Sequence, residues 1–256
     1  MLNSRVRKPL FLALLIHPLL FSTRAVGQET KPPHWSYEGA TDPSYWGNLD
    51  TAYAACSTGQ LQSPIDIKDA KKSNLPRLRM NYNSVPLNII DNGHSIQINY
   101  PAGSTLTVGN KTYTLKQFHF RHPAEEEING KGFDLVAHLV HADAAGNLAV
   151  IAILFKKGAP NPLFDKLWKN IPAEKEKAVD VSSIAVDATQ LIPAHTGYYT
   201  FQGSLTSPPC SEGVTWYVLE KQGTLSAEQL DAFAKLYPHN ARPIQPANGR
   251  EILKSK

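Results

Sequence analysis

Cysteine is scarce. Cys56 and Cys210 are the only two, which leaves room for one disulfide and no more. Also missing is an apolar run long enough for a stable membrane span. The stretch Leu10 to Phe21 is interrupted by His17-Pro18 and falls short of one. The formal net charge of +4 is not a property of the folded part. Arg5, Arg7, Lys8 and Arg24 all lie in the first 27 residues, and removing these four from the 26 Lys and Arg leaves 22 against 22 Asp and Glu. With no basic excess, an electrostatic argument for nucleic acid or a charged membrane surface disappears. There is no internal repeat and no low-complexity linker, so a single domain is expected.

Basic residues ahead of an apolar run, closed by Ala25-Val26-Gly27 as a small-x-small cleavage site, read as a secretory signal peptide over residues 1–27. The expected location is therefore periplasmic or secreted. Residues 28–34 are polar and proline-bearing and read as a loose arm, and residues 35–256 as the domain. In an oxidising compartment two cysteines favour a disulfide, with two free buried thiols as the alternative.

Strand-like alternation dominates the domain. It covers Leu87 to Ile90, Ser95 to Tyr100, Ser104 to Val108 and Thr112 to Arg121, and the nearly continuous apolar run Leu148 to Phe155 suits a strand buried on both faces. Helices are few. Asn161-Pro162 caps one, and Ser226 with Gln229 forms a capping box for another that Pro238 ends. The fold class is mainly β.

The chemistry gathers in Gln117 to Glu125 and in Leu135 to His141, two alternating segments joined by a turn-rich stretch with Asn129-Gly130 at its centre. Antiparallel pairing would bring His119 and His138 together, the start of an open zinc site that needs a third ligand. At the matching position two residues along stands Arg121, which has no lone pair for a metal. His122 has the chemistry but points to the other face unless a bulge turns it. His141, three residues past His138, reads as structural.

Gln62-Ser63-Pro64-Ile65-Asp66, Asn92-Gly93-His94, Gln117-Phe118-His119-Phe120, His138-Leu139-Val140-His141, Gly203 through Cys210, Val214-Thr215-Trp216 and Asn240 through Pro246 occur in one order. In that order the chain resembles the α-class carbonic anhydrases, particularly exported bacterial ones. The resemblance implies a single domain on a large twisted, mostly antiparallel sheet, and reversible hydration of carbon dioxide to bicarbonate by a zinc-bound hydroxide. It implies that His94 relays protons and that Thr206 donates to Glu125. Gln117 would orient His119, and Val140, Val150, Leu205, Ser207 and Trp216 would line the substrate pocket. It also implies a Cys56–Cys210 disulfide.

The pattern departs from the family at two places. Arg121-His122 stands where the family has histidine first, and Val136 stands where many members have a glutamate two residues before the third histidine. Three outcomes are open: His122 completes the site, zinc binds weakly through His119 and His138 alone, or Arg121 replaces the metal and makes an anion-binding pocket. A zinc-dependent carbonic anhydrase is the expectation, and a metal-free anion-binding protein on the same fold is the alternative.

Overall fold

A computed structural model describes residues 33–194 and 197–256. Residues 1–32, which hold the expected signal peptide and most of the expected loose arm, lie outside the described residues. Residues from Pro33 to Lys256 form one compact unit.

A broad sheet runs through this unit. Its strands lie in the spatial order Val179–Val186, Val85–Asp91, Ile96–Asn99, Lys111–Arg121, Leu135–Ala142, Leu148–Lys157, Glu212–Leu219, Tyr198–Ser204, Leu253–Ser255 and Lys71–Ser73. Most neighbours are antiparallel. Leu148–Lys157 runs parallel to Glu212–Leu219 and to Gly223–Leu225, and Leu253–Ser255 runs parallel to Lys71–Ser73.

Both faces of the central strands are covered, which is why Leu148–Lys157 reads as continuously apolar rather than alternating. One face carries Phe118, Phe120, Leu139, Ile151 and Phe155. They pack with Leu163 and Phe164 of helix Pro162–Trp168 and Phe233 of helix Ala227–Ala234. The other face carries Val136, Val150, Ala152, Leu154, Val214 and Trp216. Both expected caps are present: Asn161 accepts from Leu163 N–H, and Ser226 with Gln229 closes a capping box. The second helix ends at Ala234, before Pro238, because Lys235 and Tyr237 close it with backbone bonds to Asp231 and Phe233.

One irregularity sets up the site. In the strand Lys111–Arg121 the register against Leu135–Ala142 shifts between Leu115 and Gln117, so Lys116 is an extra residue. Before it, odd-numbered Tyr113 and Leu115 face the helix-side core; after it, even-numbered Phe118 and Phe120 do. The bulge therefore turns Gln117, His119 and Arg121 to the opposite face, as an inserted residue must in a period-two strand. A uniform alternation across Thr112 to Arg121 is corrected by this finding.

Candidate active site

His119 and His138 are direct register partners on adjacent antiparallel strands, and their rings sit 5.5 Å apart at 88°. Each imidazole is held from behind. Gln117 Oε1 lies 2.9 Å from His119 Nδ1 and accepts its hydrogen, which leaves the Nε2 lone pair free. Glu126 Oε1 lies 2.9 Å from His138 Nε2. A carboxylate only accepts, so Nε2 carries the hydrogen and Nδ1 keeps its lone pair.

In sequence Glu126 reads as one of three adjacent solvated charges, yet it is fully buried. The only hint of its role was the missing glutamate at position 136, which left His138 in need of a carboxylate from elsewhere. Val136 itself packs into the apolar cluster.

Arg121 shares this face and is buried. Its Nη1 donates to the His94 carbonyl at 3.4 Å, and its Cζ lies 5.5 Å from the centre of the Tyr37 ring. Its Nε stands 3.9 Å from Glu125 Oε2, too far for a hydrogen bond, and neither of these buried atoms has a hydrogen-bond partner among the described residues. Glu125 Oε1 accepts from the Arg242 backbone N–H at 2.8 Å, while Oε2 faces His138 Nδ1 at 3.8 Å. Burial raises the Glu125 carboxyl above its ordinary pKa, against the pull of Arg121 and His138. Burial also drives His119 well below the usual imidazole value, with Arg121 and His138 adding to the effect.

The expected hydrogen bond from Thr206 to Glu125 is not formed. Thr206 is buried, and the hydrogen bond that Glu125 does accept comes from the Arg242 backbone N–H to Oε1. His122 does not join the histidine pair. Its backbone N–H donates to Asn240 Oδ1 at 2.7 Å and its Nδ1 lies 2.7 Å from the Asp134 carbonyl. The bulge that would have turned it inward sits at Lys116 instead. Among the described residues no three His, Cys, Asp or Glu side chains gather where a metal could sit.

His94 lies flat against Trp35, with ring centroids 3.7 Å apart and planes within 7°, and His34 is 5.6 Å away. Burial, reinforced by Arg121, pushes it down to about 4. Val140, Val150, Leu205 and Trp216 belong to one apolar cluster, with the Trp216 ring 5.0 Å from His138. Ser207 sits beside it in a turn closed by the Cys210 N–H at 2.9 Å.

The sequence reading missed the supports of this site. Asn240 Nδ2 donates to the carbonyls of His94 and Phe120, tying the two strand ends together. Arg242 donates to Gln62 Oε1, to the Ser63 carbonyl and to the Cys56 carbonyl, each at 2.8 Å. Cys56 is joined to Cys210, so one buried arginine links the disulfide to the Glu125 loop. Tyr37 and Trp35 cap the site from a segment without periodicity, where only aromatic density hinted at a role.

A family model described as eukaryotic-type carbonic anhydrase matches residues 41–256. The chain belongs to the carbonic anhydrase family. A carbonic anhydrase of Pectobacterium carotovorum is 46% identical over 237 residues, covering 92% of this chain and 96% of that protein. One from Pectobacterium atrosepticum is 46% identical over 222 residues, covering 86% and 90%. The structure of a hyperthermostable carbonic anhydrase from an active hydrothermal vent chimney superposes with a TM-score of 0.84 at 44% identity, covering 87% of this chain and 100% of that one. Within a carbonic anhydrase frame, then, two imidazole lone pairs are in place and the third position is a guanidinium.

Proposed function

We propose that this chain is an exported carbonic anhydrase acting on carbon dioxide and bicarbonate at the site built by His119, His138, Arg121 and Glu125. The observation that carries this is the facing histidine pair. Each ring is locked by its own acceptor with a lone pair left free, beside an apolar wall of Val140, Val150, Leu205 and Trp216. An uncharged linear substrate suits that wall, and an anionic product suits the Arg121 guanidinium next to it. Export rests on the leader pattern of residues 1–27, and the buried Cys56–Cys210 disulfide suits an oxidising compartment.

Zinc, which the family uses, supplies a hydroxide at neutral pH when three protein ligands hold it. His119 and His138 would be its ligands here. Arg121 has no lone pair and adds positive charge at the third place, so this donor set does not fit a three-histidine zinc. The roles assigned above therefore stay with binding and orientation.

The test is stopped-flow hydration of carbon dioxide on protein as purified, after chelator dialysis, and after adding zinc. Hydration faster than buffer is expected in at least one preparation. A rate equal to buffer in all three overturns the proposal.

A further inference from the structure

Besides Glu125 and Glu126, the described residues bury one carboxylate, Asp91, at the end of the strand Val85–Asp91. Two neutral donors answer it. Its Oδ1 accepts from the Gly93 N–H at 3.0 Å and from the Tyr237 hydroxyl. Tyr237 is buried just past the helix Ala227–Ala234, with Phe233 beside its ring and Lys175 Nζ 5.6 Å from the ring centre. Burial, together with Asp91, raises its phenol, so it keeps its proton and donates. A charge buried on neutral donors is costly, and packing alone would be served as well by phenylalanine at this position.

The turn that this pair touches carries His94. The His94 imidazole makes ring contacts with Trp35, His34 and Tyr37 and no hydrogen bond among the described residues, so the backbone beneath it sets its place. Asn92 Oδ1 shapes the turn from within, accepting from the His94 and Ser95 N–H groups at 3.0 and 2.8 Å. Bonds from elsewhere fix where the turn sits. Its far half is tied by Asn240 Nδ2 on the His94 carbonyl and by Ser95 Oγ on the Phe120 carbonyl. Its near half is tied at Asp91, whose carboxylate holds the Tyr237 hydroxyl and whose carbonyl accepts from the Glu176 N–H at 2.6 Å. Tyr237 and Asn240 belong to one short segment after the helix, so a single stretch of chain grips both halves.

We propose that Tyr237 is a positioning residue: acting through Asp91, it fixes the turn that lays His94 flat on Trp35 next to Arg121. The inference rests on the proposed function in one respect, that His94 is the residue expected to relay protons there. Its geometry does not depend on turnover.

The experiment is an NMR titration of the His94 ring in Tyr237→Phe, which removes one oxygen and leaves the aromatic ring. In the unmutated chain His94 is held at about 4 by burial, with Arg121, His34 and Lys175 opposing its proton and Asp91 favouring it. Freed from the stack, it should move toward an ordinary imidazole, a change of roughly tenfold or more in its acid constant. Asp91→Asn keeps an acceptor oxygen in place and should leave His94 close to its unmutated midpoint. Asp91→Ala should match Tyr237→Phe, and combining the two should add nothing. A midpoint unmoved in folded Tyr237→Phe would overturn the inference even if stability falls, because that is what a purely structural tyrosine gives. Should Tyr237→Phe not fold, the Asp91 pair decides, and equal midpoints in Asp91→Asn and Asp91→Ala would overturn it. Parallel hydration assays separate the two readings. A shifted His94 in a chain that hydrates no faster than buffer defeats the proposed function alone, and an unmoved His94 in an active chain defeats this inference alone.

Discussion

Glu126 Oε1 accepts a hydrogen bond from His138 Nε2 at 2.9 Å, with both side chains buried. Glu126 thus reaches His138 from the connecting loop rather than from the histidine's own strand, where Val136 packs into the apolar cluster. The loop can deliver it because both flanks are tied down: His122 N–H to Asn240 Oδ1, Glu125 Oε1 to Arg242 N–H, and Glu127–Ile128 paired in parallel with Asp66–Ile67.

Replacing Glu126 with Ala should release the His138 ring. The cost expected is about 1–3 kcal/mol, from a buried donor left unpaired. Nitrogen-resolved NMR of His138 should show the Nε2–H form giving way to a tautomer mixture, and urea unfolding should report the lost stability. Adding Val136→Glu to the Glu126→Ala chain should restore part of the tautomer preference, because position 136 shares a face with His138. An unchanged imidazole spectrum in Glu126→Ala would remove Glu126 from this role.

Exchanging Arg121→His with His122→Arg should complete an imidazole trio. Residue 121 already points to the site after the Lys116 bulge, whereas residue 122 is held against the Asp134 carbonyl. Zinc retained per chain after dialysis should rise toward one, and hydration should rise with it. Metal content indistinguishable from that of the unmutated chain would show that something other than Arg121 blocks the site.

His141 predicts an acid-sensitive fold. It is buried on the helix-side face, with Nε2 2.8 Å from the Tyr82 hydroxyl and Nδ1 3.3 Å from the Ala149 carbonyl, and burial lowers its pKa from 6.5 to about 4. Between these values the unfolded chain takes up a proton that the folded chain refuses. Stability from this group is therefore fully present above about pH 6.5 and is lost as pH falls toward 4, by about 3 kcal/mol on an order-of-magnitude reckoning. Urea unfolding across that window should show the slope, and His141→Asn should flatten it.

The Cys56–Cys210 bond spans 154 residues of chain. Removing it through Cys56→Ala with Cys210→Ala should destabilise the protein by roughly 2–5 kcal/mol, chiefly by freeing the unfolded state. Because Arg242 donates to the Cys56 carbonyl, the Glu125 loop should loosen as well. Thermal unfolding checks the first effect, and hydrogen exchange of the Arg242 amide checks the second. An equally slow amide in the variant would show that the loop holds itself.

Much of this protein was determined by its sequence alone. Local patterns sufficed wherever the cause is local. The period-two runs made strands, Asn161-Pro162 and Ser226 with Gln229 started helices, and the Asn129-Gly130 turn between two alternating segments set His119 opposite His138. The ordered family motifs identified the sheet and the disulfide partners. What the tertiary structure decided has causes far apart in the chain. Glu126 is buried and bonded only because Asn240, Arg242 and Ile65 anchor its loop. The Arg242 N–H, more than a hundred residues along the chain, is what holds Glu125 Oε1. The Lys116 bulge is invisible to a strict alternation, since it becomes evident only against the neighbouring strand, whose register shows which residue has no partner.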